Sequence, residues 1–414
     1  MAEHTDREHF IPVRRHELVD LLCADKGLSP EDRGAVRQLS RLVTAMYHFQ
    51  YNDRLERLKQ AYAPFDPDSD CTSLVKWTAE QRQQHLDDLF TEFEALMERA
   101  NFRQLKQDEI AHQTDEASEW GLVMDVDFGV FERLLVYARG EGIDKRTVRR
   151  LSRFWQKDEV RVPVWKRLAM ILKLRPHRRL PEKADTSSVY LRIFKNIPKA
   201  DIDMLLPGAR TRMSRVDKGK IGLPFLSGIG AALWNMADDV LRFLGQGFAN
   251  PSLLFWGVAT GAVGYGSKSY YNYVGTKQSY HLNLTQTLYF QNLDANAGVF
   301  HRLIDEAEEQ ECREAILAYF FLWRFPKDPG WLPRDLDDYI ELELERTADL
   351  KVDFEIGDAL EKLEKLRIVE KHGAHYRALP LPTALQTLDA IWDNYFTYNN
   401  NAVAAGATAG ERGT

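Results

Sequence analysis

His301, Asp305, Glu308 and Cys312 are metal-ligating residue types spaced by four, three and four positions. On one helix that spacing puts all four in a line along a single face. A metal ion needs donors that converge from several directions, so a line along one helix is poor ligand geometry. The simpler reading is a solvated acidic face through Asp305, Glu306, Glu308, Glu309 and Glu311, because runs of charge usually mark exposed surface. Just upstream, Gln291, Asn292, Asp294 and Asn296 form a dense polar group. An enzyme could draw acid, base or hydrogen-bonding groups from it together with the 301–312 carboxylates. Capping is the plainer use: Asp294 can accept a backbone N–H at the start of a helix. No catalytic residue and no cofactor is assigned from these patterns.

Other motifs fall short of a chemistry. Glu109 and His112 form one ExxH pair, whereas a di-iron bundle needs two such pairs and two further carboxylates. Gly261 to Gly266 is followed by Ser267 and only then Lys268, so the lysine of a phosphate-binding loop is displaced by one residue. Gly228-Ile-Gly230 has no third glycine. GxSxG and HExxH are absent. Cys23, Cys71 and Cys312 lie far apart, which fits a reducing compartment and no structural zinc.

The elements that must position these groups are mostly helical. His16–Cys23, the amphipathic run from Val36 toward Leu58, and Leu86–Met97 carry apolar residues at spacings of three and four. Leu282–Leu293 continues that period. Two further helices are expected after Asp294, one through Val299–Ala307 and one through Cys312–Trp323. Between them, Phe131–Ala138, Val160–Val164, Arg167–Leu174 and Val189–Phe194 read as strands, with a short helix at Ala200–Leu206. The fold class is therefore α+β, predominantly helical. Its parts are N-terminal helices (1–120), a small mixed α+β region (121–220), an apolar helical hairpin that meets a membrane (221–275), a helical and winged-helix-like module (276–398) and a disordered tail (399–414).

The apolar hairpin sets the expected location. Its second arm holds Leu253, Leu254, Phe255, Trp256, Gly257, Val258, Gly261 and Val263 without a charge, and serves as the anchor. Its first arm, Leu223–Leu244, contains Asp238, Asp239 and Arg242, and so suits an interfacial helix better than a span. Gly257 and Gly261 make a GxxxG step through which a homo-oligomer could form. Basic residues on both flanks place the soluble parts in the cytoplasm. The expected partners are a lipid bilayer and a protein.

Charge is distributed unevenly. The 414 residues hold 55 Lys and Arg against 62 Asp and Glu, a net −7, which disfavours a nucleic-acid coat. Lys145–Lys220 is basic, while Asp305–Glu364 is acidic. Such asymmetry suits an internal electrostatic dock or a face toward anionic lipid. Near the C-terminus, Pro333–Glu345, Asp353–Leu366 and a hairpin about Gly373 follow the order of a winged helix. The helix in the DNA-reading position carries Asp353, Glu355, Asp358, Glu361 and Glu364 against Lys362 and Lys365, so nucleic acid is a disfavoured partner and a protein-contact wing the preferred one.

The stretches REHFIPVRRHELVDLL, ERLKQAYAPFDPD, VDFGVFERLLVYARG, FKNIPKADIDMLLPGARTRM, LTQTLYFQNLDANAGV and EAEEQECREAILAYFFLWR resemble an uncharacterised family, domain of unknown function 3754, which includes human transmembrane protein 143. The resemblance runs from about Arg7 to Phe396. It implies a membrane-anchored protein with two hydrophobic segments before LTQTLYFQNLDANAGV, and it implies no activity. Eukaryotic relatives are thought mitochondrial. The start MAEHTDREHF has no transit-peptide character, which points to a prokaryotic cytoplasmic membrane. The expected function is that of a non-enzymatic scaffold or interaction protein, with a membrane-associated enzyme and a winged-helix nucleic-acid binder as alternatives.

Overall fold

The structure is a computed structural model and describes residues 7–110, 123–149, 157–212 and 289–396. An extended N-terminal strap leads into α1 (Arg15–Cys23), α2 (Pro30–Tyr62) and α3 (Ala79–Arg99). Ser29 and Thr78 start α2 and α3 with reciprocal capping boxes to Asp32 and Gln81, which satisfy amide groups that no helical carbonyl can reach. The strands follow: β1 (Arg103–Gln104), β2 (Val123–Asp125), β3 (Phe131–Arg149), β4 (Lys157–Leu174), β5 (Val189–Pro198), β6 (Arg210–Arg212) and β7 (Asn292–Ala295). The chain closes with the central helix α4 (Ala297–Arg324), then α5 (Pro333–Ala348), α6 (Ile356–Lys365), β8 (Val369–His372), β9 (His375–Ala378) and α7 (Leu381–Asp393).

The main sheet is antiparallel, in the order β1-β3-β4-β5-β7. It is covered on both faces. Tyr137, Ala169, Ile171, Leu191 and Ile193 belong to the helical core, whereas Val136, Ala138, Leu168, Met170 and Leu172 pack into a second cluster with Val130, Ile202 and Leu206. Successive residues of β4 thus alternate between two cores, as a period of two demands. Past Val164, β3 and β4 pair only with each other among the described residues, because β5 ends at Pro198 opposite Val164. Pro163 lies just beyond that end, where its missing N–H deprives no third strand of a bond.

The central helix is the hub. Eighteen of its 28 residues are buried, among them Phe300, Leu303, Ala307, Ala315, Leu317 and Phe321 at 5% exposure or less. A helix apolar on most sides must be wrapped. The wrapping comes from α1, α2, α3, α5 and α6 and from β9. Tyr62 meets Phe300 edge-on at 5.2 Å, and Tyr319 donates to Leu379 O at 3.0 Å.

Several expectations are corrected. The predominantly helical fold with a membrane hairpin gives way to a mixed architecture built on a five-stranded antiparallel sheet. Among the described residues no helix is long and apolar enough to cross a membrane, so the transmembrane reading of the fold is withdrawn. The longest apolar run described, within α4, spends its surface on neighbouring helices. Residues 221–275, with the anchor positions Leu253, Leu254, Phe255, Trp256, Gly257, Val258, Gly261 and Val263, lie outside the described residues, as does the tail 399–414.

Asp294 does not cap a helix. Residues 292–295 form β7 against β5, because their apolar–polar alternation fits a strand edge as well as a helix turn. The two helices expected after Asp294 are one, since its acidic middle finds partners rather than solvent. The two strands expected at 160–164 and 167–174 are one.

Helices α4, α5 and α6 precede the β8–β9 hairpin, which turns at Gly373 with φ +63. Trp331, between α4 and α5, forms an isolated antiparallel bridge to Tyr376 of β9.

Candidate functional site

The strap from Arg7 to Arg15 is laid across the molecule by polar contacts along its length. Arg7 pairs with Glu341 at 2.8 Å and Glu345 at 3.2 Å on α5. Glu8 forms a parallel bridge with Val352. His9 O accepts from Asn101 Nδ2 at 2.7 Å, and Ile11 N donates to Gln310 Oε1 at 3.2 Å. Arg313 donates to Val13 O at 2.6 Å, and Arg15 pairs with Glu309 at 3.1 Å. One nine-residue segment therefore ties the C-terminal module, the end of α3 and the central helix together. Nothing local in REHFIPVRR predicts this path, because every partner is at least 90 residues away.

Phe10 marks where the strap meets the sheet. The cations of Arg139 and Lys166 stand over its ring at 5.0 Å and 5.8 Å. Gly140 permits the approach: it has φ +69, and a Cβ there would lie 3.0 Å from Phe10 Cε1 and 2.9 Å from Lys166 Cδ. A cleft opens on each side of Phe10. The first, about 490 Å³, is lined by Arg7, His9, Asn101, Arg103, Arg139 and Trp165, among others. The second, about 500 Å³, lies toward α4 and includes Arg14, Arg167, Asp305, Glu306 and Arg313. Both volumes fall in the range of small-molecule sites.

Arg139 stands between the clefts. It donates to Ala100 O at 2.9 Å, pairs with Glu306 of α4 and stacks on Phe102 at 4.5 Å. Arg167 reaches the same Glu306 at 3.4 Å. Arg139 of β3 and Arg167 of β4 thus converge on one carboxylate of α4. Desolvation lowers the Arg139 pKa while Glu306 opposes the shift. The Nε of Arg139 has no partner. Trp165, 3% exposed, has an indole N–H with no acceptor, and Arg103 and Lys199 stand over its ring at 5.4 Å and 4.2 Å. An unpartnered buried donor costs roughly 1–3 kcal/mol.

The acidic middle of α4 is not a solvated face. Gln310, Glu311 and Glu314 are 1–2% exposed and Glu308 is 9%. Lys362 of α6 enters from the other side, 2.8 Å from Glu314, 3.7 Å from Glu311 and 2.5 Å from Asp358. Arg99 takes the same Glu311 oxygen at 2.7 Å, and Gln310 and Asn101 donate to Glu314 Oε1 at 2.8 and 3.2 Å. Burial works against the Lys362 ammonium, but Glu314, Glu311 and Asp358 outweigh it and hold its pKa above the ordinary lysine value.

The metal-type residues do not converge. His301 and Asp305 are exposed, Glu308 pairs with His48 at 2.9 Å, and Cys312 is fully buried. Burial pushes the Cys312 thiol up to about 12, so the thiolate that a metal or a substrate would need is disfavoured. Among the described residues no three His, Cys, Asp or Glu side chains are grouped to hold a metal ion.

The polar group at 291–296 is a junction. Gln291 donates to Asn196 O at 2.9 Å, and Arg302 lies 3.6 Å from Asp294. Asn292 pairs with Phe194 in the sheet. Asn296, at φ +49, exchanges bonds with Leu191 through its own N–H at 2.9 Å and its side-chain oxygen at 3.2 Å, and donates to Asp68 at 2.5 Å. The sequence marked these four as polar but not as a clasp between β5 and α4. It named Lys362 only as a charge on a helix, not as a buried partner of α4, and gave no role to Arg139 or Trp165, whose only signal was a charge or an aromatic at an otherwise apolar period.

No solved structure matches this chain. Residues 131–298 match a family model, from β3 through the main sheet to the first turn of α4, and so include Arg139, Trp165 and Asn296. The model's description is "protein of unknown function (DUF3754)", and this part of the chain is a member of that family.

Proposed function

We propose that the chain is a non-enzymatic interaction protein whose C-terminal helices and wing contact another protein. One observation carries the reading. Helix α6, in the position from which a winged helix reads DNA, turns Lys362 inward onto Glu314 and leaves Asp358 and Glu361, paired on the helix with Lys362 and Lys365, 48% and 63% exposed. Phosphate would be repelled by those carboxylates, whereas a lysine- or arginine-rich segment of a protein complements them. Of the polar groups that an enzyme reading would use, Gln291, Asp294, Asn296, Glu306, Glu308, Glu309 and Glu311 are already engaged in holding strap, sheet and helices together. The likeness of the strap and of the 306–324 stretch to transmembrane protein 143 is part of this proposal, because both stretches extend beyond the matched region.

Titration of the purified protein with a fluorescent polylysine peptide, and separately with duplex DNA, tests it. Expected is saturable binding of the peptide that weakens with salt, and at least tenfold weaker binding by the Asp358→Lys/Glu361→Lys variant. Binding of DNA in preference to the peptide, or peptide binding unchanged by that variant, would overturn the reading.

A further inference from the structure

We infer that the groove beside α5 and the α5–α6 connection is a peptide site for an extended partner segment carrying an arginine followed by an acidic residue, and that residues 7–9 of the strap fill it in cis. The site uses none of the outward α6 carboxylates, so it stands or falls apart from the interaction reading above.

The strap lies in this groove as an added strand lies on a host. Glu8 N donates to Lys351 O at 3.0 Å, and Glu8 O accepts from Asp353 N at 3.0 Å. Such main-chain bonds hold an extended segment whatever its sequence, and side chains on alternate sides then read it. On one side Arg7, 13% exposed, enters an acidic pocket. Glu341 and Glu345 take its guanidinium at 2.8 and 3.2 Å, and Val352 O accepts from Nη1 at 3.2 Å. Glu341 is fixed for this task by Phe354 N, which donates to its other oxygen at 2.9 Å. Three acceptors set around a planar, forked cation suit arginine better than lysine. On the other side Glu8 pairs with Lys166 of β4. The order arginine, then acid, is thus read by opposite charges on opposite sides of one short strand.

Residues 7–9 are also the part of the strap that can leave. They carry no apolar side chain. The first apolar anchors are Phe10, under the cations of Arg139 and Lys166, and Ile11, 1% exposed. The His9 side chain is 68% exposed, and its pair with Asp353 at 3.0 Å faces water. Segments held by hydrogen bonds and ion pairs without apolar burial open first, because water replaces those partners. A partner segment with the same arginine–acid order takes over the same bonds, while Ile11 keeps the rest of the strap in place.

A fluorescent peptide copying residues 3–12, EHTDREHFIP, is titrated against full-length proteins. The parent should bind it weakly, because its own strap competes at high effective concentration. The Arg7→Glu chain sets a carboxylate against Glu341 and Glu345 and should bind the peptide at least tenfold more tightly than the parent. Glu8→Pro opens the groove by another route, since it lacks the N–H given to Lys351 O, and should have the same effect. A peptide carrying Arg7→Ala should bind the opened chains at least tenfold more weakly. Adding Asp358→Lys/Glu361→Lys to the Arg7→Glu chain should leave its affinity for the peptide in place. Opened chains that bind no more tightly than the parent would overturn the inference, and so would a peptide indifferent to the loss of its arginine. Binding abolished by the α6 changes would assign the peptide to α6 and overturn it equally.

Discussion

Lys362 Nζ lies 2.8 Å from Glu314 Oε2, and the two side chains are 6% and 2% exposed. The pair welds α6 to the central helix in the middle of the core. Removing one partner of such a pair leaves an uncompensated charge, which costs about 3–5 kcal/mol. Lys362→Met should therefore destabilise the protein by that order in urea unfolding. Adding Glu314→Leu should recover part of the loss, because two apolar side chains can replace a buried pair. A double variant less stable than the sum of the two singles would contradict this account.

Asn296 holds the start of the central helix to β5 through Leu191 and to the 62–70 turn through Asp68. Asn296→Gly keeps the left-handed backbone but loses the side-chain bonds, at roughly 1–3 kcal/mol. Asn296→Ala adds the cost of a Cβ at φ +49, on the order of 1–2 kcal/mol more. Chemical denaturation of both variants should rank wild type above Gly and Gly above Ala.

Gly140 is where the strap presses on the sheet. Gly140→Ala should lower stability by about 1–2 kcal/mol through its left-handed backbone alone, and should displace Phe10, which a new Cβ would meet at 3.0 Å. Limited proteolysis reads the displacement: the variant should be cut within residues 7–14 faster than the parent. Equal cutting rates would show that the strap does not depend on this contact.

Asp203, 2% exposed, has a carboxyl oxygen with no partner, and burial, aided by Asp201, raises its pKa to about 7. The folded protein holds this proton more tightly than the unfolded chain does. Between the ordinary carboxylate value near 4 and about 7 the unfolded state has lost the proton and the folded state has kept it, so stability falls as pH rises through that window. A shift of this size corresponds to roughly 4 kcal/mol. Asp203→Asn should flatten the difference between urea midpoints at about pH 5 and about pH 8, gaining most at the higher pH.

The local periodicities of this sequence determined most of its helices and strands. His16–Cys23, the run from Val36 and Leu86–Met97 carry one apolar face each and form α1, α2 and α3. Phe131–Ala138 and Val189–Phe194 carry the β-rich composition of β3 and β5. The apolar periods of Pro333–Glu345 and Asp353–Leu366 and the Gly373 turn are met by α5, α6 and the β8–β9 hairpin. These are legible because periodicity and turn chemistry act over a few residues. The tertiary structure alone decided what the charges do. Glu311 reads as solvent-facing until Lys362 and Arg99, from helices far away in the chain, meet it in the interior. Asp294 reads as a helix cap until β5 supplies an edge for 292–295 to join. The two clefts arise only when the strap is laid over Gly140. Whether a polar side chain is exposed, paired or left without an acceptor depends on elements that arrive from distant positions, and no spacing along the chain encodes that arrival.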